Sequence, residues 1–429
     1  MKTIIENVRA IVPMGREFLV RTCDISIEGG VITAMDGADK RGAGRIIDGR
    51  GKLAIPGLVN AHTHAYMTLF RNSADDLTFQ KWLFDRIMPM EDRLQPGDSY
   101  WTTLLGICEM LRSGTTAFLD MYIFPDDSCR AVADSGIRAV LSRGLVGEDR
   151  HDEGGLRRIR EARQDFDAYR AAADGRIGFM LAPHAPYTCG PDYLSLITET
   201  AAEMGVGIHT HLAESVGEIE TIREKYGCTP VEMLEKSGVF ACKTAAAHCV
   251  NLQPDDLRIL RDNGVSVLTN PSSNMKLGNG FAPVAELLEH GVNVAIGTDS
   301  AASNNALNMF RELNLLSLIH KGTHKDATTI TSAEAFYAAT AGGAEALGIS
   351  AGALAVGKKA DVVLLDLSRP QLNPPTNLVS SLCFSANGSE VDTVLVDGRV
   401  LLEKGRLTTI DEERVIYESN RIYKRVSGE

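Results

Sequence analysis

The sequence predicts an α/β fold, a (β/α)8 TIM barrel with a small β-sandwich module formed by both chain termini, and three observations predict it. Between about residues 57 and 350, short apolar β-rich runs alternate with longer helical stretches, the signature of a parallel sheet with crossover helices. There are eight such runs, and each finishes in a polar residue of catalytic type, which is where a (β/α)8 barrel carries its site. Both chain ends have a different texture, of short strands and tight turns. At 429 residues the chain accommodates a barrel of about 250 residues plus a smaller module.

The elements follow in order. Thr3 to Val12 reads as a strand, then Asp24 to Glu28 and Val31 to Met35 flank Gly29-Gly30, a tight-hairpin signal. The barrel runs end at Leu58 to His62, Thr116 to Asp120, Ala139 to Arg143, Phe179 to His184, Val206 to His211, Ala245 to His248, Val265 to Asn270 and Val292 to Asp299. A doubly wound open sheet is the rival, but it does not need polar residues at all eight strand ends. Past the barrel, Asp361 to Leu367 is a strand, and Thr393 to Val396 with Val400 to Leu402 form a second hairpin around Asp397-Gly398. The expected division is 1–56 for the N-terminal part of the β module, 57–355 for the barrel and 356–429 for the C-terminal part, ending in a helix over Glu412 to Arg425. Chain ends commonly lie close together, so the two β-rich ends should meet in one sheet.

Gly352 to Lys359 nearly fits a phosphate-loop pattern, but Lys359 stands where the pattern needs a hydroxyl, and a strand follows instead of a helix. It reads as a turn. The long stretch from Met67 to Arg112 carries Trp82, Phe84, Met88, Met90 and Glu91, and long βα insertions usually bear binding function. Phe84 and Met88, four apart, read as the packed face of an amphipathic helix on the rim.

Composition excludes several classes of function. With 44 Lys+Arg against 56 Asp+Glu, the formal charge is -12, and no basic cluster suits a phosphate backbone, so nucleic acid is not an expected partner. No apolar run approaches the ~18 residues of a membrane helix. The eight cysteines show no CxxC spacing and no secretory segment follows Met1, so reduced thiols in the cytoplasm are expected.

The chemistry-bearing residues begin with His62 and His64. Residues i and i+2 of a strand point the same way and can offer two imidazoles to one metal. His211, His248 and Asp299 end runs five, six and eight, so all five converge on one barrel mouth. Three imidazoles and a carboxylate leave room for a water, the open arrangement of catalytic zinc. Zn2+ is the first choice, and N/O ligands equally accept Fe2+.

The pattern Pro56 to His64 (PGLVNAHTH), with His211-Leu212-Ala213-Glu214, His248-Cys249, Gly297-Thr298-Asp299 and the turn Gly352 to Asp361, resembles the amidohydrolase superfamily over nearly the whole chain. The resemblance implies that His62, His64, His211 and Asp299 hold the metal. Strand four has no lysine, which fits the family's mononuclear type with one metal per chain. His209 shares the face of His211 one layer deeper and reads as a hydrogen-bonded interior histidine. A Zn2+-bound water can have its pKa lowered to about 7. In the family's pattern Glu214 then carries a proton from the water to a ring nitrogen, and His248 and Asp299 hydrogen-bond the attacking water.

Within the superfamily the chain is most similar to the 5'-methylthioadenosine/S-adenosylhomocysteine deaminases, through Leu77 to Phe84, Pro89 to Leu94, Ser142 to Leu145 and Pro183 to Tyr187. That resemblance implies hydrolytic deamination of a 5'-modified adenosine, with Trp82 and His184 on the nucleoside, Glu91 on the ribose hydroxyls and Arg143 toward an amino-acid tail. A carboxylate can take both hydroxyls of a cis-diol, and an aromatic plane suits a purine. The family's second tail-binding arginine directly follows a Gly-Gly pair, whereas here Leu156 follows Gly154-Gly155 and Arg157 comes next, which gives weight to smaller 5'-substituents. The zinc cytidine-type deaminases need H-x-E with P-C-x-x-C, absent here. A deaminase or hydrolase of another ring (guanine, pterin, cytosine or s-triazine) would share the metal site, and the set Trp82, Glu91 and Arg143 separates it. A non-catalytic scaffold would have lost a ligand or Glu214, and none is missing. Homo-oligomers are common among such enzymes, though no interface signature is visible.

Overall fold

A computed structural model describes residues 2–37 and 39–428. Five strands come first: β1 (Lys2–Met14), β2 (Glu17–Glu28), β3 (Val31–Met35), β4 (Ala43–Asp48) and β5 (Lys52–Pro56). Eight parallel strands follow, β6 (Leu58–Thr63), β7 (Thr115–Tyr122), β8 (Arg138–Leu145), β9 (Ile177–Pro183), β10 (Gly207–Leu212), β11 (Thr244–His248), β12 (Ser266–Thr269) and β13 (Asn293–Ile296), each next to its sequence neighbour. The last four are β14 (Val362–Asp366), β15 (Val391–Val396), β16 (Arg399–Glu403) and β17 (Arg406–Leu407).

The two chain ends share one mixed sheet in the order β17-β16-β15-β14-β5-β1-β2-β3, with β4 beside β1. The join is antiparallel, β14 on β5, with Val363 opposite Ile55. A register shift between Ile5 and Val8 splits the far edge of β1, so that β4 pairs with its first residues and β5 with Arg9 and Ala10. Both expected hairpins form, and Gly29, Gly30, Asp397 and Gly398 all have positive φ, as a two-residue turn matched to strand twist requires. Ile25, Ile32, Val362, Leu364 and Leu395 give this module its own buried cluster.

The barrel interior is filled by small and branched residues at alternate positions, among them Val59, Ala61, Ala117, Leu119, Ala245, Ala247 and Ala295. At the seam between β6 and β13 the Asp299 N–H donates to the His62 carbonyl at 2.9 Å. Asn60 extends the closure: its Oδ1 accepts the Thr298 N–H at 3.0 Å and its Nδ2 donates to Thr298 Oγ1 at 2.7 Å. Chain passage from module to barrel depends on Gly57, where a Cβ would sit 1.9 Å from Thr116 Oγ1.

The insertion after β6 contains a buried 3-10 turn (Ala65–Phe70), a π-helical stretch (Lys81–Ile87) and the helix Asp98–Arg112. Here the expected packing of Phe84 and Met88 is corrected: they are 55% and 41% exposed, while Trp82 and Ile87 are buried. The wider π turn aligns residues five apart, which brings Trp82 and Ile87 onto the inner face. The final helix, Glu412–Ser427, covers Asp98–Arg112 with Val415, Ile422 and Val426, and Arg112 Nε donates to Glu412 at 2.6 Å. The turn before β14 leads into a strand, as expected of a turn rather than a phosphate loop. No helix among the described residues is long and apolar enough to cross a membrane, and the eight cysteines are unpaired.

Candidate active site

Alternation along β6 turns His62 and His64 to the barrel axis, and β10 does the same for His209 and His211. At the strand ends the backbone bends sharply. Ala213, His248 and Asp299 have φ of 50°, 73° and 57°, a left-handed conformation that non-glycine residues seldom hold and that recurs at functional sites.

These side chains converge. His64 Nε2 lies 3.3 Å from His211 Nε2, and Asp299 Oδ1 lies 3.5 Å from both His62 Nε2 and His64 Nε2. The outer nitrogens are held by acceptors: His64 Nδ1 meets the Met121 carbonyl at 2.9 Å, His211 Nδ1 the His184 carbonyl at 2.7 Å, and His248 Nδ1 Asn274 Oδ1 at 2.9 Å. An imidazole that donates from Nδ1 presents a bare lone pair at Nε2, so the tautomers follow from these partners. His62 reaches the same state through a relay. Ser142 donates to the Asp120 carbonyl at 2.6 Å, so its oxygen accepts from His209 Nδ1 at 3.0 Å, and His209 Nε2 accepts from His62 Nδ1 at 2.8 Å. His209 is thus the hydrogen-bonded interior histidine that the sequence suggests.

His62 Nε2 is then a buried atom with no hydrogen-bond partner among the described residues. Such an orphan is costly unless something accepts its lone pair, and a divalent cation does. The donors also have the right protonation: burial pushes His62 down to about 4 and His211 well below the ordinary histidine range. Burial opposes the charge on Asp299, but the close imidazoles of His62, His248 and His64 hold its carboxyl well below the usual range. Neutral imidazoles and an ionised carboxylate are what a metal needs. The set His62, His64, His211 and the set His62, His248, Asp299 each bring ligand atoms within 4.8 Å of one another, so the residues fit a metal ion.

Above the centre, Glu214 Oε2 is 3.8 Å from His248 Nε2 and its Oε1 accepts from Asn279 at 3.0 Å. Burial raises its carboxyl. Burial also works to lower His248, but the Glu214 and Asp299 carboxylates outweigh it and leave it raised.

One cavity of about 390 Å³ gathers His64, His211, Glu214, His248 and Asp299 with Trp82, Glu91, Arg143 and His184, while His62 is buried beneath it. A more open cleft of about 850 Å³ beside helix Asp98–Arg112 contains no histidine. The indole of Trp82 is 6% exposed and donates to the Ala302 carbonyl at 3.3 Å, which fixes its plane. Glu91 accepts from Tyr66 OH at 2.5 Å, and burial pushes its carboxyl up to about 7. Arg143 is tied to Glu161 at 3.1 Å. His184 meets Thr188 Oγ1 at 3.1 Å through Nδ1, and burial pushes it down to about 4.

Several members of the site escape sequence reasoning. Arg157 points outward, 64% exposed and 3.7 Å from Glu161, whereas Arg158 lines the cavity. Ser273 and Ser303 donate to Asp299 Oδ2 at 2.5 and 2.7 Å. The buried Glu312 binds Ser272 N–H and Oγ at 2.9 and 2.5 Å and Asn304 at 2.9 Å, tying together the loops that carry those serines. Glu218 accepts the N–H groups of Ala213 and Glu214, both at 2.9 Å. Only the last had a signal, the capping pattern Ser215-x-x-Glu218.

Comparison with known proteins agrees with this geometry. The amidohydrolase family profile matches residues 53–401. The 5-methylthioadenosine/S-adenosylhomocysteine deaminase of Dictyoglomus thermophilum is 48% identical over 377 residues, 88% of each chain. That of Pelotomaculum thermopropionicum is 45% identical over 423 residues, 97% of each. Among solved structures, an adenosine deaminase from Xanthomonas campestris with bound zinc superposes with a TM-score of 0.94 at 32% identity, covering 100% of this chain and 99% of that one. Atrazine chlorohydrolase from Arthrobacter aurescens, complexed with zinc, gives 0.90 at 26%, covering 98% and 100%. From the strand-end histidines and Asp299 to the sheet built of both termini, the chain belongs to the amidohydrolase family.

Proposed function

We propose that this protein is a metal-dependent hydrolytic deaminase that converts 5'-modified adenosines (5'-methylthioadenosine, S-adenosylhomocysteine, 5'-deoxyadenosine or adenosine) to the corresponding inosines, with release of ammonia. The relatives' names and the zinc of the Xanthomonas neighbour support this reading. The observation that carries it is that Glu91, from the insertion, opens into the same cavity as the His/Asp centre.

In this reading His62, His64, His211 and Asp299 hold one divalent cation per chain, Zn2+ first and Fe2+ with the same ligand set. When bound, the cation lowers the pKa of water to about 7, which makes hydroxide available at neutral pH. His248 and Asp299 orient the attacking water toward the amidine carbon. Glu214 takes one proton from that water and delivers it to the adjacent ring nitrogen, acting as base and then as acid. Its carboxyl, raised by burial and steadied by Asn279, is suited to both halves of that transfer. The second proton of the water goes to the amino group, and ammonia leaves as the ring carbonyl forms.

Trp82 and His184 contact the nucleoside, and Glu91 accepts the 2'- and 3'-hydroxyls. Tyr66 occupies its Oε1 and polarises the carboxylate. Arg143 and Arg158 face the 5'-substituent. The unpaired thiols suit a reducing cytoplasm, and the charge of -12 favours a small nucleoside over a nucleic acid as partner.

The test is Glu91→Ala. Loss of two charge-assisted bonds should cost about 2 to 4 kcal/mol in kcat/KM for every nucleoside and leave free adenine, which has no ribose, unaffected. Equal losses on adenosine and adenine would remove the ribose role.

A further inference from the structure

At the opposite end of the barrel, where the strands begin, cations outnumber the acids that pair with them. Arg138 opens β8 and Arg176 precedes β9, and the turns Gly29-Gly30 and Asp397-Gly398 of the β module lie over them. Arg138 donates to Asp361 at 2.8 Å and to Asp397 Oδ1 at 2.7 Å, and Lys359 Nζ sits 3.2 Å from that same Asp397 oxygen. Arg399 meets Asp174 Oδ2 at 2.5 Å, and Arg176 shares that oxygen at 3.4 Å. Arg45 pairs with Glu403 at 2.6 Å. Five cations (Arg45, Arg138, Arg176, Lys359, Arg399) therefore share four carboxylates (Asp174, Asp361, Asp397, Glu403), in a chain whose net charge is -12.

Arg176 is the least satisfied. Its side chain is 3% exposed, and among the described residues its one contact with an acid is long and its buried Nε has no hydrogen-bond partner. It is delivered there by Ala173 and Asp174, both left-handed at φ 52° and 53°, a conformation that non-glycine residues adopt at a cost. Together with Lys359 it lines two cavities, of about 560 and 360 Å³. A water could accept from Nε, but it would not offset the repulsion between cations crowded on one oxygen. An anion would do both.

We infer that this cleft is a second binding site, remote from the deaminase centre, that takes the phosphoryl group of free phosphate or of a small phosphomonoester. Its cations come from five separate elements: Arg45 from β4, Arg138 from the start of β8, Arg176 from the entry to β9, Lys359 from the turn before β14 and Arg399 from the β15–β16 hairpin. That arrangement suits the several oxygens of a phosphoryl group better than the single plane of a carboxylate, and guanidinium groups bind it in pairs of bonds.

The experiment is thermal unfolding of the full-length protein at fixed pH and ionic strength, with chloride exchanged for phosphate or for glycerol 3-phosphate, a phosphomonoester with no nucleoside to enter the deaminase cavity. A saturable rise in Tm is expected, with an apparent affinity that Lys359→Met and Arg399→Ser each weaken about tenfold, the loss of one charge-assisted contact. Arg399 is 59% exposed, so its replacement leaves the fold intact. Arg143→Ala, in the other cavity, should leave this affinity unchanged. Tighter binding of glycerol 3-phosphate than of phosphate assigns the site to a phosphomonoester, and equal or weaker binding assigns it to free phosphate. A Tm that rises no more in phosphate or glycerol 3-phosphate than in chloride, or a rise that survives both substitutions, overturns the proposal.

Discussion

Both oxygens of Asp299 are committed. Oδ2 accepts from Ser273 and Ser303, which leaves Oδ1, equidistant from His62 and His64, as the atom offered to a cation. Glu214 is committed differently: Asn279 holds one oxygen, the other faces His248, and burial raises its carboxyl, which suits a group that must gain and lose a proton. Glu214→Gln preserves size and the Asn279 contact but cannot carry the proton. Metal content by elemental analysis should stay at one per chain while kcat falls by about 100 to 10,000-fold, the range of general acid-base groups. A kcat near that of the wild type would reduce Glu214 to a structural loop residue. Glu91 gives a pH dependence. Burial raises its carboxyl to about 7, so it is protonated below that pH and ionised above it. Only the ionised form accepts two hydroxyls, and nucleoside kcat/KM should therefore decline as pH falls through about 7. In Glu91→Gln the nucleoside profile should lose this limb and follow that of free adenine, and an unchanged limb would assign the titration to another group.

At the scale of elements, the seam and the loops above it explain how strands distant in sequence hold one centre. Asn60 supplies to Thr298 both an acceptor and a donor, next to the residue that carries the Asp299 carboxylate. Asn60→Ala leaves the Thr298 N–H buried without a partner, at a cost of about 1 to 3 kcal/mol. The denaturant midpoint should fall by the corresponding amount, and a midpoint unchanged from wild type would show that the Asp299 N–H bond alone closes the barrel. Period-two alternation made His62, His64 and His211 legible in the sequence, because a strand dictates its own side-chain directions. Helical phase was less legible. The π turn at Lys81–Ile87 buries Trp82 with Ile87 and exposes Phe84, and one residue of rotation on the helix Glu153–Tyr169 sends Arg158, rather than Arg157, to the cavity. Glu312, Ser273 and Ser303 gave no signal, since their partners lie on other elements and only the closed barrel brings them together.

Over the whole molecule, the proposed choice of substrate rests on the insertion after β6. The fold and the cation cradle would serve a triazine as well as a purine, and the zinc-bound atrazine chlorohydrolase superposes on nearly the full chain. In the proposed reading the choice falls to the wall that carries Trp82 and Glu91, whose end is tied to the helix Glu412–Ser427 where Arg93 donates to the Val426 carbonyl at 2.7 Å. The fold was readable because both chain ends carry turn signals and the middle carries eight strand endings. The substrate was readable only through the insertion. The central claim is therefore tested by ammonia release measured over adenosine, 5'-deoxyadenosine, 5'-methylthioadenosine and S-adenosylhomocysteine, with guanine, cytosine and melamine alongside. The account predicts that the adenosines have the highest kcat/KM, and a free base or triazine that outruns every nucleoside would contradict it.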